Sequence, residues 1–307
     1  MNKGYSNDTI WKQIQEYLPE ENRLNDNNMP NEEMIEFGNN TIHVDHYLCP
    51  NEKGVIAIYH GVGGNGRLLS FIAVPLCKAG YEVVCPDLPL YGHTICNNTV
   101  AYSDWVDSGV EVAKKYRKEN KPLYLFGLSA GGMLAYQVSC KLENLDGLIV
   151  TCLLDQRINK VTKETASSKL LVTLGKPILK ATHHIIGKMK IPMKFVCNMK
   201  AIVNNENLAK LLMSDPISSG TKVSLEFLNG MLNPNIEIEP EDYQKCPVLL
   251  VHPQEDYWTD VSLSELFFDK IKAAKELEML CGAGHFPIED KGLKQLEKFC
   301  LNFMESN

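Results

Sequence analysis

Long apolar runs are missing from this chain of 307 residues. The longest candidates, Val55 to Tyr59 and Leu148 to Leu154, are strand-sized and fall short of the roughly eighteen residues that a membrane-spanning helix needs. Met1 to Asp8 lack the apolar core of a secretory leader, so the expected location is cytoplasmic. An excess of basic residues is missing too. The 31 Lys and Arg face 38 Asp and Glu, and the net charge of −7 argues against nucleic acid as the main partner. No Cys-x-x-Cys occurs among the ten cysteines, which read as reduced and mostly buried thiols. No metal-ligand spacing is found, and no metal or cofactor is expected. What is present, 44% hydrophobic and 22% charged residues, suits a globular protein with one large core.

Residues 1–32 read as an N-terminal arm, with a short helix around Trp11 to Leu18. From Glu33 to Tyr47 two strand-like runs flank Gly38-Asn39-Asn40, a hairpin signature that predicts an antiparallel edge. Short apolar strands then alternate with helical patterns: Val55 to Tyr59, Glu82 to Cys85, Leu123 to Phe126, Leu148 to Leu154, Val248 to Val251 and Glu276 to Leu280. That rhythm predicts an α/β fold with a mainly parallel sheet and helices on both faces. Residues 33–154 and 244–307 make this core, and 155–243 break the rhythm as an inserted helical cap. Between Arg157 and Lys200 ten Lys or Arg face the single acid Glu164, a net +9 that points to a solvated face or to weak peripheral contact with an anionic membrane. Apolar cap residues from Leu170, Leu171 and Leu174 to Met231 need something apolar to cover, either the core or an acyl chain. The oligomeric state is not readable from the chain.

The strand Leu123 to Phe126 runs into Gly127-Leu128-Ser129-Ala130-Gly131-Gly132 and then a helical stretch, which is G-x-S-x-G between strand and helix. Small residues there permit a tight turn that lifts Ser129 Oγ into the open and aims the Ala130 N–H at a developing oxyanion. A serine needs a base, and the base an orienting acid. His285, in the small-residue loop after Glu276 to Leu280, is the candidate base; His60, His252, His183 and His184 compete. Asp256, at the exit of Val248 to His252, is the candidate acid; Asp155, Glu255 and Asp260 compete. The loop His60-Gly61-Val62-Gly63-Gly64-Asn65-Gly66 offers the Val62 N–H as a second oxyanion donor, and a phosphate cradle is the poorer reading of it.

These pieces, with Asp87-Leu88-Pro89-Leu90-Tyr91-Gly92-His93-Thr94, His252 to Asp256 and Ser214-Asp215-Pro216-Ile217, resemble the α/β-hydrolase superfamily over residues 33–305, and within it the capped monoacylglycerol lipase or lysophospholipase-like group. Departures from that group are Leu128, Ala130 and Pro253, where many members carry histidine, methionine and glycine. The resemblance implies an α/β-hydrolase fold with an inserted cap and an acyl-enzyme mechanism. The substrate it implies is a small-molecule acyl ester of medium or long chain. A small-acyl esterase, a thioesterase, a peptidase and a non-catalytic binding protein are the other readings.

Overall fold

The computed structural model describes residues 4–307, without the side chain of Leu171; Met1 to Lys3, read above for a leader, lie outside it. Helix α1 (Thr9–Gln15) starts before Trp11, because Asp8 caps it through Ile10 N and Trp11 N, and it ends at Gln15, short of Leu18. The arm docks on the core: Tyr5 and Trp11 are buried, and both rings face the Arg67 guanidinium. Strands β1 (Asn31–Phe37) and β2 (Asn40–Tyr47) form the expected antiparallel hairpin, with Gly38 at φ +57° in its turn.

The remaining strands are β3 (Gly54–Tyr59), β4 (Tyr81–Pro86), β5 (Ile95–Cys96), β6 (Leu123–Gly127), β7 (Gly147–Val150), β8 (Lys190–Pro192), β9 (Lys222–Ser224), β10 (Val248–Pro253) and β11 (Lys275–Leu280). The main sheet runs β1-β2-β4-β3-β6-β7-β10-β11 with β5 beside β2, and it is parallel from β4 to β11. Strand alternation divides the core in two. Val55, Ala57 and Tyr59 of β3 point into one apolar layer with Trp105 of α3 (Tyr102–Tyr116) and Leu134 of α4 (Ala130–Lys141). Ile56 and Ile58 point into the other, with Phe71 of α2 (Ser70–Lys78) and Leu293 of α10 (Asp290–Ser306). This is the α/β-hydrolase arrangement, with helices on both faces.

Two expectations change. The run Leu148 to Leu154 is strand only to Val150, since the Thr151 N–H turns to Gly127 O and its hydroxyl accepts from Ser129 N. The stretch 155–243 carries α5 (Asn159–Thr165), α6 (Lys169–Ile186), α7 (Glu206–Ser214) and α8 (Leu225–Leu232), but also the two-stranded β8–β9 sheet that the sequence did not signal. Leu170, Leu174, Ile178 and Ile185 of α6 cover nothing: they are between 60% and 87% exposed. Beyond β10, α9 (Val261–Phe268) completes the helices, and Phe267 packs on Tyr136 of α4.

Candidate active site

Three strand ends of the sheet deliver the site. Ser129 follows β6 and caps α4 with φ +56° and ψ −124°, a left-handed backbone that a non-glycine residue adopts only under constraint. The constraint comes from its neighbours. A Cβ at Gly131 would lie 2.3 Å from Tyr59 O, and one at Gly132 would lie 2.0 Å from Cys152 O, so the turn nests directly against β3 and the exit of β7. Ser129 N donates to Thr151 Oγ1 at 2.9 Å, which holds the strained residue from behind.

The loop after β11 brings His285 Nε2 to 2.6 Å from Ser129 Oγ. On its other side, His285 Nδ1 lies 2.7 Å from Asp256 Oδ2, from the loop after β10. Asp256 is fixed further by Trp258 N (2.9 Å) and Thr259 N (2.8 Å) on Oδ1, and by Thr259 Oγ1 (2.8 Å) on Oδ2. Burial pushes the Asp256 carboxyl up, but the facing imidazole and the Thr259 donors outweigh burial and hold it below the ordinary carboxylate value. The three side chains read from the sequence therefore meet, and the acid is kept charged.

The N–H groups of Val62 and Ala130 donate to no other described residue. Gly61 lies against this spot: a Cβ there would come within 2.9 Å of Leu128 O and 3.2 Å of Ala130 N. Ala130 N also sits at the N-terminus of α4, where the helix dipole favours negative charge. Gly61, Gly63 and Gly66 have the G-x-G-x-x-G spacing of a dinucleotide loop, yet the structure does not favour a phosphate there. Gly66 N already donates to the Asp87 carboxylate at 2.7 Å, and that fixed negative charge opposes a pyrophosphate in the same place.

The competing residues are otherwise engaged. His60 donates from Nδ1 to Gly61 O (2.7 Å) and accepts from Leu88 N (3.0 Å), and burial lowers its pKa to about 4, so it is a neutral strut under the glycine loop. His252 is buried against Thr151 O. The His183 and His184 rings lie against each other on α6, 3.9 Å apart and tilted by 47°. Asp155 is held by Arg157, Asp260 caps α9, and Glu255 points to solvent.

Two cavities meet at Ser129. The larger is bounded by Val62, Ala130, Met133, Val172, Val196, Met231 and Trp258, with Gln137 and Tyr102 among its walls. The smaller lies under the glycine loop and touches His285, Leu68, Leu212 and Phe286. Motif reading missed Thr259 and Trp258. Thr259 stands three residues beyond the acid, where an aspartate commonly accepts from the following backbone, so a turn-based reading would have found it. Trp258 carries no such signal: its ring lies 4.7 Å from that of His285, and its Nε1 donates to Thr165 O at the end of α5. Asn204 Nδ2 to Glu255 O and Phe286 N to Ile202 O are further ties between 155–243 and the loops of acid and base.

A family model described as "Serine aminopeptidase, S33" matches residues 50–292. Among curated proteins none matches the chain in sequence. Among solved structures, a soluble variant of monoglyceride lipase from Saccharomyces cerevisiae, in complex with a substrate analog, is similar with a TM-score of 0.71 at 18% identity, covering 91% of this chain and 96% of that one. The monoacylglycerol lipase of Paleococcus ferrophilus gives 0.69 at 18% identity over 86% and 98%. A carboxyl esterase from Bacillus coagulans, in complex with glycerol, gives 0.69 at 15% identity over 90% and 98%.

Proposed function

The chain belongs to the serine aminopeptidase S33 family of hydrolases, and from that premise we propose that it cleaves carboxylic esters of medium- or long-chain acyl groups, of the monoacylglycerol or lysolipid type. Ser129 Oγ attacks the acyl carbonyl while His285 Nε2 takes its proton. Asp256 accepts from His285 Nδ1, fixes the tautomer and balances the imidazolium charge. The Val62 and Ala130 N–H groups hold the oxyanion as the carbonyl turns tetrahedral. His285 then gives its proton to the departing alkoxide, releasing the alcohol. A water deprotonated by the same imidazole splits the acyl–Ser129 ester, which restores the hydroxyl and frees the carboxylic acid.

The observation that carries this reading is the unbroken relay of 2.6 and 2.7 Å from Ser129 through His285 to Asp256, with its Ser129 end on an apolar cavity beside two N–H groups that donate to no described residue. Peptides, named in the family description, are less well served. An aminopeptidase must pair the ammonium end of its substrate, and neither cavity has a carboxylate among its lining residues. The test is labelling with a fluorophosphonate followed by peptide mass mapping. Modification at Ser129 with loss of nitrophenyl ester turnover is expected; labelling elsewhere would sink the assignment. A turnover profile that peaks at acetate would leave the mechanism standing and overturn the chain-length claim.

The same reading includes weak attachment to anionic membranes from a cytoplasmic position. No described helix is long and apolar enough to cross a membrane. Support for surface attachment comes from α6, where exposed Leu170, Leu174, Ile178 and Ile185 stand among Lys169 and Lys180, with exposed Lys188 just past the helix end. Sedimentation with anionic vesicles at low salt, lost at high salt, is the expected result; equal sedimentation with neutral vesicles would refute it.

A further inference from the structure

Ala130, Met133 and Gln137 follow one another at helical spacing down α4 and all border the larger cavity. Gln137 is the anomaly. Only 5% exposed, it places an amide in a wall shared with Met133, Met231 and Leu232; the other amide of that wall, Gln156, already accepts from Thr165 Oγ1 through its Oε1. Its Nε2 donates to Tyr102 Oη at 3.0 Å and to Met133 O at 3.3 Å. Both amide protons are thus used, while Oε1 accepts from no described residue. Tyr102, having accepted from Nε2, keeps its own proton, and no described residue takes it. Together the pair offers one acceptor and one donor at the cavity wall. An unsubstituted alkyl chain would cover both groups without answering either, which is unfavourable for buried polar atoms.

We infer that the larger cavity selects acyl chains bearing a hydroxyl in their outer half. Such a hydroxyl donates to Gln137 Oε1 and accepts from the Tyr102 O–H. The inference rests on the ester-hydrolase reading of Ser129 and adds the class of acyl group. The acyl chain is assigned to this cavity because the smaller one touches His285, which must protonate the departing alcohol. Gln137 stands eight residues beyond Ser129, about 12 Å along the helix at about 1.5 Å per residue. A chain of C–C bonds about 1.5 Å long advances about 1.3 Å per carbon, so the hydroxyl belongs about eight to ten carbons from the carbonyl.

The experiment compares kcat/KM for nitrophenyl decanoate with that for its 3-, 8-, 9- and 10-hydroxy derivatives. The wild-type chain is expected to favour at least one of the 8- to 10-hydroxy esters over decanoate by about threefold to tenfold, the range of one net hydrogen bond, with no gain at position 3. Tyr102→Phe removes a single oxygen, and Gln137→Leu keeps the shape of the side chain; each should bring the ratio to one or below. Turnover of decanoate with no preference at any outer position, or a preference that both variants retain, overturns the inference while leaving the hydrolase reading intact. A wild-type chain that turns over none of these esters overturns both.

Discussion

Two buried clusters of this protein use the same residue types for opposite ends. Around Ser129, His285 has a carboxylate on Nδ1 and a neutral hydroxyl on Nε2. Beneath the N-terminal hairpin, His43 has carboxylates on both sides, Asp87 at 3.0 Å from Nδ1 and Glu32 at 3.2 Å from Nε2. Arg67 completes that second cluster by gripping Asp45 through Nε and Nη2 and Glu32 through Nη2, and Tyr5 donates to Asp87. Glu32, His43 and Asp45 lie close enough to hold a cation, but the guanidinium already supplies the positive charge. Burial opposes the charged form of His43, yet the flanking acids prevail and raise its pKa to about 10. An imidazole flanked by two anions is a locked cation. One flanked by an anion and a neutral alcohol that opens on a cavity is not so held, and the proposed relay relies on that asymmetry.

The comparison breaks most visibly if the relay loses its acid. Asp256→Asn keeps the shape but removes the charge that selects the His285 tautomer, so kcat for ester turnover should fall by about four orders of magnitude with the fold intact, as read by kinetics beside thermal melting. A loss of tenfold or less would mean that Asp256 is a strut as well. The strut should fail in the opposite currency. Arg67→Leu leaves Asp45 and Glu32 facing His43 without their guanidinium, and denaturant titration should show a loss of about 3–5 kcal/mol, since one partner of a buried ion network is removed. Turnover per folded molecule should persist; an undiminished midpoint would show that the cluster carries no stability.

The pH dependence sharpens the contrast. The folded pKa of His43 is raised from 6.5 to about 10, so its contribution to stability is fully present below about 6.5 and is lost as pH rises toward 10. That of Glu32 is lowered from 4.5 to about 2, and its contribution disappears as pH falls through that interval. Melting temperature should therefore decline on the alkaline side from about pH 6.5, and His43→Phe should flatten that decline. An alkaline slope equal in the variant would place its origin elsewhere.

The smallest expected effect concerns Thr259, a positioning residue. Thr259→Val deletes a charge-assisted hydrogen bond to Asp256 Oδ2 and leaves the backbone donor in place. A drop in kcat of about tenfold to a hundredfold is expected, given about 1.5–3 kcal/mol for a hydrogen bond to a charged group. Because Asp256 loses a donor that favours its charged form, the acid limb of the rate profile should also move to higher pH. Thr259→Ser should restore both. A lower kcat with an unmoved acid limb would reduce Thr259 to simple packing.

Much of the fold was legible because its signals are local. Alternating strands of β3, β6 and β10 stand where their apolar runs predict, and the Gly127-to-Gly132 turn announces itself because only small residues fit that close to Tyr59 O and Cys152 O. The β8–β9 pair was not legible: three residues per strand carry too little periodicity to be seen. The exposed apolar side chains of α6 misled for another reason, since periodicity marks a face and not what covers it.

By itself the sequence determined the alternation of the longer strands with helices and the identities of Ser129, Asp256 and His285 as candidates, because each lies in a loop at a strand end whose residue types constrain the backbone over a few positions. Only the tertiary structure decided that His285 bridges a serine and a single carboxylate while His43 is held between two, and that Gln137 and Tyr102 meet in the wall of the larger cavity. Those outcomes depend on packing between segments many residues apart, and such packing fixes distance and burial, the two quantities that set what a charged or hydrogen-bonding group can do.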